Sequence, residues 1–476
     1  MGARRRGQVS RDPAGLEGGT QLAVARLVVL RPIAIFAALA VAGSPVARAS
    51  GLPPEPTIPE RLTLGQALAI FRTHGLDLLI AEAAGQSAEG DALAAGAIPN
   101  PSATGGFYHS FFSPGLYETH NGWFVGLGDS NAIEDTLSGK RSLRKGVAEA
   151  ALAAARLQRA DAQRTIELQV KQQYFQAVAA AAALQFAQEI AASTGHTFEL
   201  NQVRYKSGAI SEVDLSRTET AKLEAEQAVD SAGEALRQAK VQLAFLLGQR
   251  HAFTEFAIDP AQFRFAVPSG LAGMNAAQLI DRAIAARPDL QAQESQRTRS
   301  ARALALAKRQ RFPDLGIGIQ YEQEGSGSPS TVNTPTGMQQ VTGVTPPTLQ
   351  LSLTGTLPLL YQQQGEIKKA EADGITQDAQ AAKLHAQVVA DVESAFAAYQ
   401  TSRGLVARME GRLLDRAGRA RQLVELQYQK GAASLLEFLD AQRTYVATKV
   451  EYIQDLTAYW NAVFQIEAAT ATELIQ

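Results

Sequence analysis

Two hydrophobic patterns run along this chain, and each occurs twice. The first has period two. Leu315, Ile317, Ile319 and Tyr321 alternate with Gly316, Gly318, Gln320 and Glu322, and Leu349, Leu351, Leu353 and Leu357 alternate with Gln350, Ser352, Thr354 and Thr356. A weaker version sets Trp123, Val125 and Leu127 against Phe124, Gly126 and Gly128, after an aromatic-rich stretch from Ser102 to Phe112. Apolar positions alternating with small or polar ones predict strands with one face in oil or core and the other in water. The strands fall at about 102–112, 122–129, 314–323 and 347–357, and the last two flank an exposed loop, GSGSPSTVNTPTG.

The second pattern is helical. From Gly139 to Tyr205 there is no proline and almost no glycine, and Gln364 to Tyr428 is similar apart from Gly365, Gly374, Gly404, Gly411 and Gly418. At ~1.5 Å per residue each stretch predicts a helix about 100 Å long. A further helix follows each. In the later one Leu439, Val446, Val450, Ile453, Trp460 and Phe464 recur at spacings of three, four or seven, a coiled-coil-like stripe.

Between the paired helices the chain says nearly the same thing twice: YKSGAISEVDL from Tyr205 and YQKGAASLLEFLD from Tyr428. Tyr205 aligns with Tyr428, Gly208 with Gly431, Ser211 with Ser434 and Asp214 with Glu437. Glycine suits such a turn because it accepts the left-handed conformation that ends a helix. The correspondence extends outward, with Pro101 on Pro313, Trp123 on Leu349 and Gly139 on Gly365. The chain therefore reads as an N-terminal segment followed by two copies of one unit, at 64–270 and 271–476, with tips at about 205–215 and 428–440.

Composition narrows what such a unit does. There is no cysteine among the 476 residues, which excludes disulfides, thiolate metal sites, a thiol nucleophile and a lipid-bearing cysteine. Arginines precede an apolar run from Pro32 to Gly43, and Ala47-Arg48-Ala49 has the small-x-small pattern of a cleavage site. Residues 1–49 read as an export signal, with a membrane anchor as the alternative, and 50–63 as a proline-rich linker. The net charge is −2, and the strongly basic part lies within the signal, so nucleic acid is not an expected partner. His74, His109, His120, His196, His251 and His385 are scattered without ligand spacing, so no metal site is expected. No phosphate loop, catalytic triad or paired-acid arrangement is present, and neither enzymatic activity nor a cofactor is expected. Four strands cannot close an antiparallel membrane barrel, which needs about eight.

In these features the sequence resembles the TolC-like outer membrane factors, the exit ducts of Gram-negative efflux pumps and type I secretion systems. The resemblance covers the two halves and both turn motifs: Tyr205-Lys206-Ser207-Gly208 with Asp214, and Tyr428 and Gly431 with Glu437, Asp440 and Ala441. LSGKR (Leu137–Arg141) and RYKSGAISEVDL (Arg204–Leu215) look most like the heavy-metal efflux branch. The resemblance implies a mixed fold of long coiled-coil-like helices and β-hairpins. Three chains would complete a twelve-stranded outer membrane β-barrel and a periplasmic α-helical barrel. Implied partners are two further copies of the chain, a periplasmic adaptor protein, an inner-membrane pump of the RND type and outer membrane lipid. The implied function is an efflux channel conducting metal cations or small toxic compounds, with type I protein secretion as the alternative.

Residue roles follow on the same footing. Tyr205, Gly208, Asp214, Tyr428 and Gly431 would belong to the adaptor-docking tips, and Glu437 and Asp440 to a ring at the periplasmic constriction. A ring of inward carboxylates attracts cations and repels anions. The plainer readings are that the glycines only terminate helices and that the carboxylates are solvated. Some relatives lock the closed state with an arginine shortly after the second-turn glycine, where this chain has Ala433. A periplasmic coiled-coil scaffold without a pore is the rival class, but it has no use for two alternating hairpins.

Overall fold

The computed structural model describes residues 51–109, 121–253, 255–324, 330–341 and 346–474. Contacts divide the chain after Pro54. Residues 51–54, the described part of the first unit, carry no helix or strand. The described helices and strands all lie in the second unit, which begins at Glu55.

Each half opens with a short helix pair, α1 (Leu64–His74) and α2 (Leu76–Gly96) in the first, α6 (Ala276–Ala286) and α7 (Pro288–Arg309) in the second. Both leading helices start on capping boxes, Thr63 with Gln66 and Asn275 with Gln278. Two strands follow in each half: β1 (Ser102–His109) and β2 (Asn121–Gly128), then β3 (Asp314–Glu324) and β6 (Thr348–Thr356). The expected strand residues 110–112 lie outside the described residues. The loop between β3 and β6 is not purely irregular. It holds an antiparallel pair, β4 (Ser330–Thr334) and β5 (Gly337–Val341), closed by Gly337 at φ +126°.

Long helices come next. In the first half a short helix, α3 (Ala132–Leu137), precedes α4 (Lys140–Lys206). At 67 residues and ~1.5 Å each, α4 is about 100 Å long. A turn then leads to α5 (Glu212–Leu246). In the second half α8 (Gln364–Arg408) passes through a π-helical turn (Met409–Leu413) into α9 (Leu414–Gln429), and α10 (Leu435–Thr470) returns. This interruption of the expected long second helix falls at Glu410-Gly411, where the Tyr452 hydroxyl of α10 donates to Glu410 Oε1 at 2.6 Å.

The four main strands form one antiparallel sheet in the order β1-β2-β3-β6, so the two halves meet at β2 and β3. Register puts Phe107, Trp123 and Gln323 in one row, Val125, Tyr321 and Leu349 in the next, then Leu127, Ile319 and Leu351. Residues opposed in a row share a face, so one face of the sheet is apolar and largely exposed. The other carries Ser, Thr, Gly, Gln and Glu, with the rings of Phe124 and Tyr108 lying over Gly106 and Gly122. Among the described residues β1 and β6 are the edges of this sheet, with backbone groups that no described strand pairs.

The main core is a belt about midway along α4. There Phe175 lies 4.9 Å from Phe464 and 5.0 Å from Trp460, ring centre to ring centre. The connection from the first half to the second straps this belt. Tyr174 donates to Leu62 O at 3.1 Å and Gln262 Oε1 at 2.9 Å, Tyr459 to Ala266 O at 2.8 Å and Trp460 to Arg264 O at 3.1 Å. Toward the tips the core thins to small clusters. Of the expected stripe of α10, Trp460 and Phe464 are buried, Leu439, Val446 and Ile453 pack half-buried against the core clusters, and Val450 is exposed. The buried face is wider than that stripe, adding Leu435, Phe438, Gln442, Tyr452, Leu456, Tyr459, Val463 and Ile466. The helix packs on α8 and α9 as well as α4, so its buried face is set by several neighbours rather than one partner helix. Among the described residues no helix is long and apolar enough to cross a membrane.

Candidate functional site: the two helix-turn tips

The tips lie at the ends of the two long hairpins, α4–α5 and α9–α10. Each helix ends in the same way. Gly208 has φ +74° and Gly431 φ +76°, and nothing lies within 4 Å of where a side-chain carbon would be at either. Ala209 N–H donates to Arg204 O and Ala432 N–H to Gln427 O, both at 2.8 Å. Gly208 and Gly431 donate to Tyr205 O and Tyr428 O, at 2.8 and 3.1 Å. These are paired Schellman closures, which satisfy the orphan carbonyls at each helix end.

The returning helices also start alike. Ser211 and Ser434 accept from the amides of Asp214 and Glu437, at 3.2 and 3.3 Å. Glu437 reaches back, accepting from Ser434 N–H at 2.7 Å and from its hydroxyl at 2.9 Å, and Asp214 accepts from the Ser211 hydroxyl at 2.9 Å. Hydrogen bonds from the Ser434 amide and hydroxyl hold the Glu437 carboxyl below its ordinary pKa. Ser-x-x-Asp and Ser-x-x-Glu are legible capping signals in the repeated motifs, and they account for part of the repetition. The Glu437 carboxylate is thus folded onto its own helix start.

Asp440, one turn on, is exposed and lines a groove of about 940 Å³ between α5 and α10, with Leu436, Leu439, Val213, Arg217 and Glu224 among its walls. Glu437 does not line it. The two aligned tyrosines occupy different environments. Tyr205 is 40% exposed, whereas Tyr428 is 6% exposed and stacks on Phe438 at 5.4 Å. Tyr428 is therefore interior to the second tip rather than on its surface.

The groups that join the two tips carry no signal in the turn motifs themselves. The Tyr428 hydroxyl donates to Oδ1 of Asn201, which is fully buried on α4, at 2.7 Å. Arg204 donates to Gln429 O at 2.8 Å, and its guanidinium lies 5.3 Å from the centre of the Tyr428 ring. Ala433 carries no group for an ion pair, so the hairpins of one chain are tied by Arg204 and Asn201 of the first and Tyr428 and Gln429 of the second. Nothing local to either motif marks these partners, which are more than 220 positions apart along the chain.

A strand pair repeated in tandem, an exposed apolar sheet face, sheet edges that no described strand pairs and very long helices ending in matched tips define a membrane-embedded channel subunit with a helical extension. The family model described as outer membrane efflux protein matches residues 72–249 and 279–472, and the chain belongs to that family. Its place is the outer membrane, with a periplasmic helical portion. Solved structures of similar fold include the CmeC outer membrane channel of Campylobacter jejuni, with 15% identity, 86% of this chain and 85% of that one covered, and a TM-score of 0.68. The open-state MtrE outer membrane channel of Neisseria gonorrhoeae has 19% identity, 87% and 89% coverage and a TM-score of 0.69. CusC, described for its transmembrane channel formation, has 17% identity, 86% and 92% coverage and a TM-score of 0.67. No curated protein matches the chain.

Proposed function

We propose that this chain is one third of a passive exit duct in a tripartite efflux pump. The observation that carries the reading is the four-stranded sheet with an apolar face and β1 and β6 at its edges, joined through short connections to one helix about 100 Å long and to the helical run α8–α9 of similar length. Four strands are too few to close a barrel, and three copies joined β1 to β6 make twelve. The joined helices then form a periplasmic tube, and the tips face a periplasmic adaptor that links the duct to an inner-membrane pump of the RND type. Residues 1–49 serve as the export signal in this reading.

At the tips, Tyr205, Gly208, Asp214 and Gly431 belong to the docking ends, with Tyr428 supporting the second tip from inside. Asp440 and Glu437 contribute to a ring of negative charge at the entrance, and Asp440 is the freer of the two because Glu437 is engaged in its cap. Metal cations and small toxic compounds are the proposed cargo, since LSGKR and RYKSGAISEVDL resemble the metal-efflux branch and an acidic ring favours cations. Type I protein secretion remains the alternative. The test is isolation of the protein from outer membranes. Recovery as a trimer with an adaptor and an RND pump supports the reading. Recovery in the soluble periplasm refutes it, and co-isolation with a secretion ATPase favours the alternative.

A further inference from the structure

The apolar face of the sheet does not stop where the strands stop. On β6 it runs Leu349, Leu351, Leu353, and the same parity continues past the strand end to Leu357. Beyond it Leu359 is 77% and Leu360 99% exposed, in a turn held in place rather than loose. Leu359 N–H donates to Leu357 O at 2.9 Å, and Tyr361 donates to Glu366 Oε2 at 2.5 Å while accepting from Gly365 N–H at 3.0 Å.

The first half reaches the same level by another route. Helix α3 uses one face to grip the protein, with Asp135 on Arg144 at 2.6 Å and Glu134 near Lys140 at 3.1 Å. Its other face leaves Ile133 and Leu137, one helical turn apart, exposed, with Leu137 at 81%. Both features lie at the helical, hence periplasmic, end of the strands.

Height argues that lipid covers them. At ~3.4 Å per residue and a tilt near 40°, Leu349 to Leu357 spans about 20 Å along the membrane normal, against an apolar band of ~25 Å. The missing thickness is on the side of Leu359, Leu360 and Leu137. Aromatics mark the opposite boundary, where Trp123 and Tyr321 lie 5.5 Å apart, and Tyr361 supplies an aromatic at the near one. Immediately past the turn, Lys368 and Lys369 are exposed on the first turns of α8, placed for headgroup phosphates.

We propose that α3 and the Leu357–Tyr361 turn form a lipid-binding collar in the periplasmic leaflet of the outer membrane, with phospholipid acyl chains on Leu137, Leu359 and Leu360 and phosphates at Lys368 and Lys369. The collar rests on the reading of the sheet as part of a membrane barrel. The absence of cysteine allows a direct test on the full chain. Single thiols are introduced as Leu360→Cys and Leu137→Cys, with Leu351→Cys as the mid-sheet position and Ser207→Cys as the watery tip. Each is labelled with an environment-sensitive fluorophore and reconstituted in vesicles of phosphatidylethanolamine and phosphatidylglycerol.

A spin label carried near the headgroup should remove half or more of the emission at positions 360 and 137 and spare position 207, and aqueous iodide should do the reverse. A deep-chain spin label should quench position 351 most. Iodide quenching at 360 and 137 would overturn the collar by showing water there. Protection from both quenchers would overturn it by showing a second copy of the chain there. In either case quenching at 351 leaves the barrel standing, whereas its loss at 351 takes both readings down. Leu360 and Leu137 are so exposed that these replacements remove no packing.

Discussion

Tyr428 offers a measurable test of how the two tips are held together. Tyr428→Phe keeps the ring stacked on Phe438 and deletes only the hydroxyl. Asn201 has no exposed surface, and its amide nitrogen already lacks a partner, so the change leaves the whole side-chain amide buried without a hydrogen bond. Stranding such a group costs about 1–3 kcal/mol, equivalent to roughly a 5- to 150-fold change in a local opening equilibrium. Amide hydrogen exchange across 424–440 should accelerate by that factor, while amides in α8 keep the native rate. Removing both partners, as Asn201→Leu with Tyr428→Phe, should restore most of the loss because no polar group is then stranded. In vesicles the single variant should also conduct more, because the hairpins of one chain separate more readily. Unchanged exchange at the tip, or a double variant as loose as the two single losses added, would refute the tie.

Further tests address the turns and the charges. Gly431→Val places a β-branched residue at φ +76° with no steric neighbour, so the cost is the left-handed backbone alone, about 1–2 kcal/mol. The variant should still assemble in the membrane but retain less adaptor in co-purification. Because the Glu437 pKa is depressed in the folded tip, its capping contribution is present above the ordinary carboxyl range and lost as pH falls through the folded pKa. Tip exchange should therefore be flat near neutrality and rise under acid, and Glu437→Gln should remove that acid dependence while keeping an acceptor for Ser434. Glu437→Gln combined with Asp440→Asn should lower cation preference in single-channel recordings, with Asp440→Asn alone giving most of the effect.

Order along the chain, strand faces and turn glycines are all legible in the sequence, because each is written in local spacing. A period of two tells Leu351 from Gln350, and glycine before a serine cap marks a reversal between helices. Capping by Ser211 with Asp214 and Ser434 with Glu437 was equally local and open to the same reading. Pairing between residues far apart was not. That β2 pairs with β3, that Tyr428 turns inward onto Asn201 while its aligned Tyr205 stays exposed, and that α10 buries Leu456 and leaves Val450 out depend on which helices and strands become neighbours. Two copies of one motif can be identical in backbone and still differ in role, because burial is a property of the surroundings. The repeated turn was encoded in a dozen adjacent residues, whereas the tie across it exists only where Arg204 and Asn201 on one hairpin meet Tyr428 and Gln429 on the other.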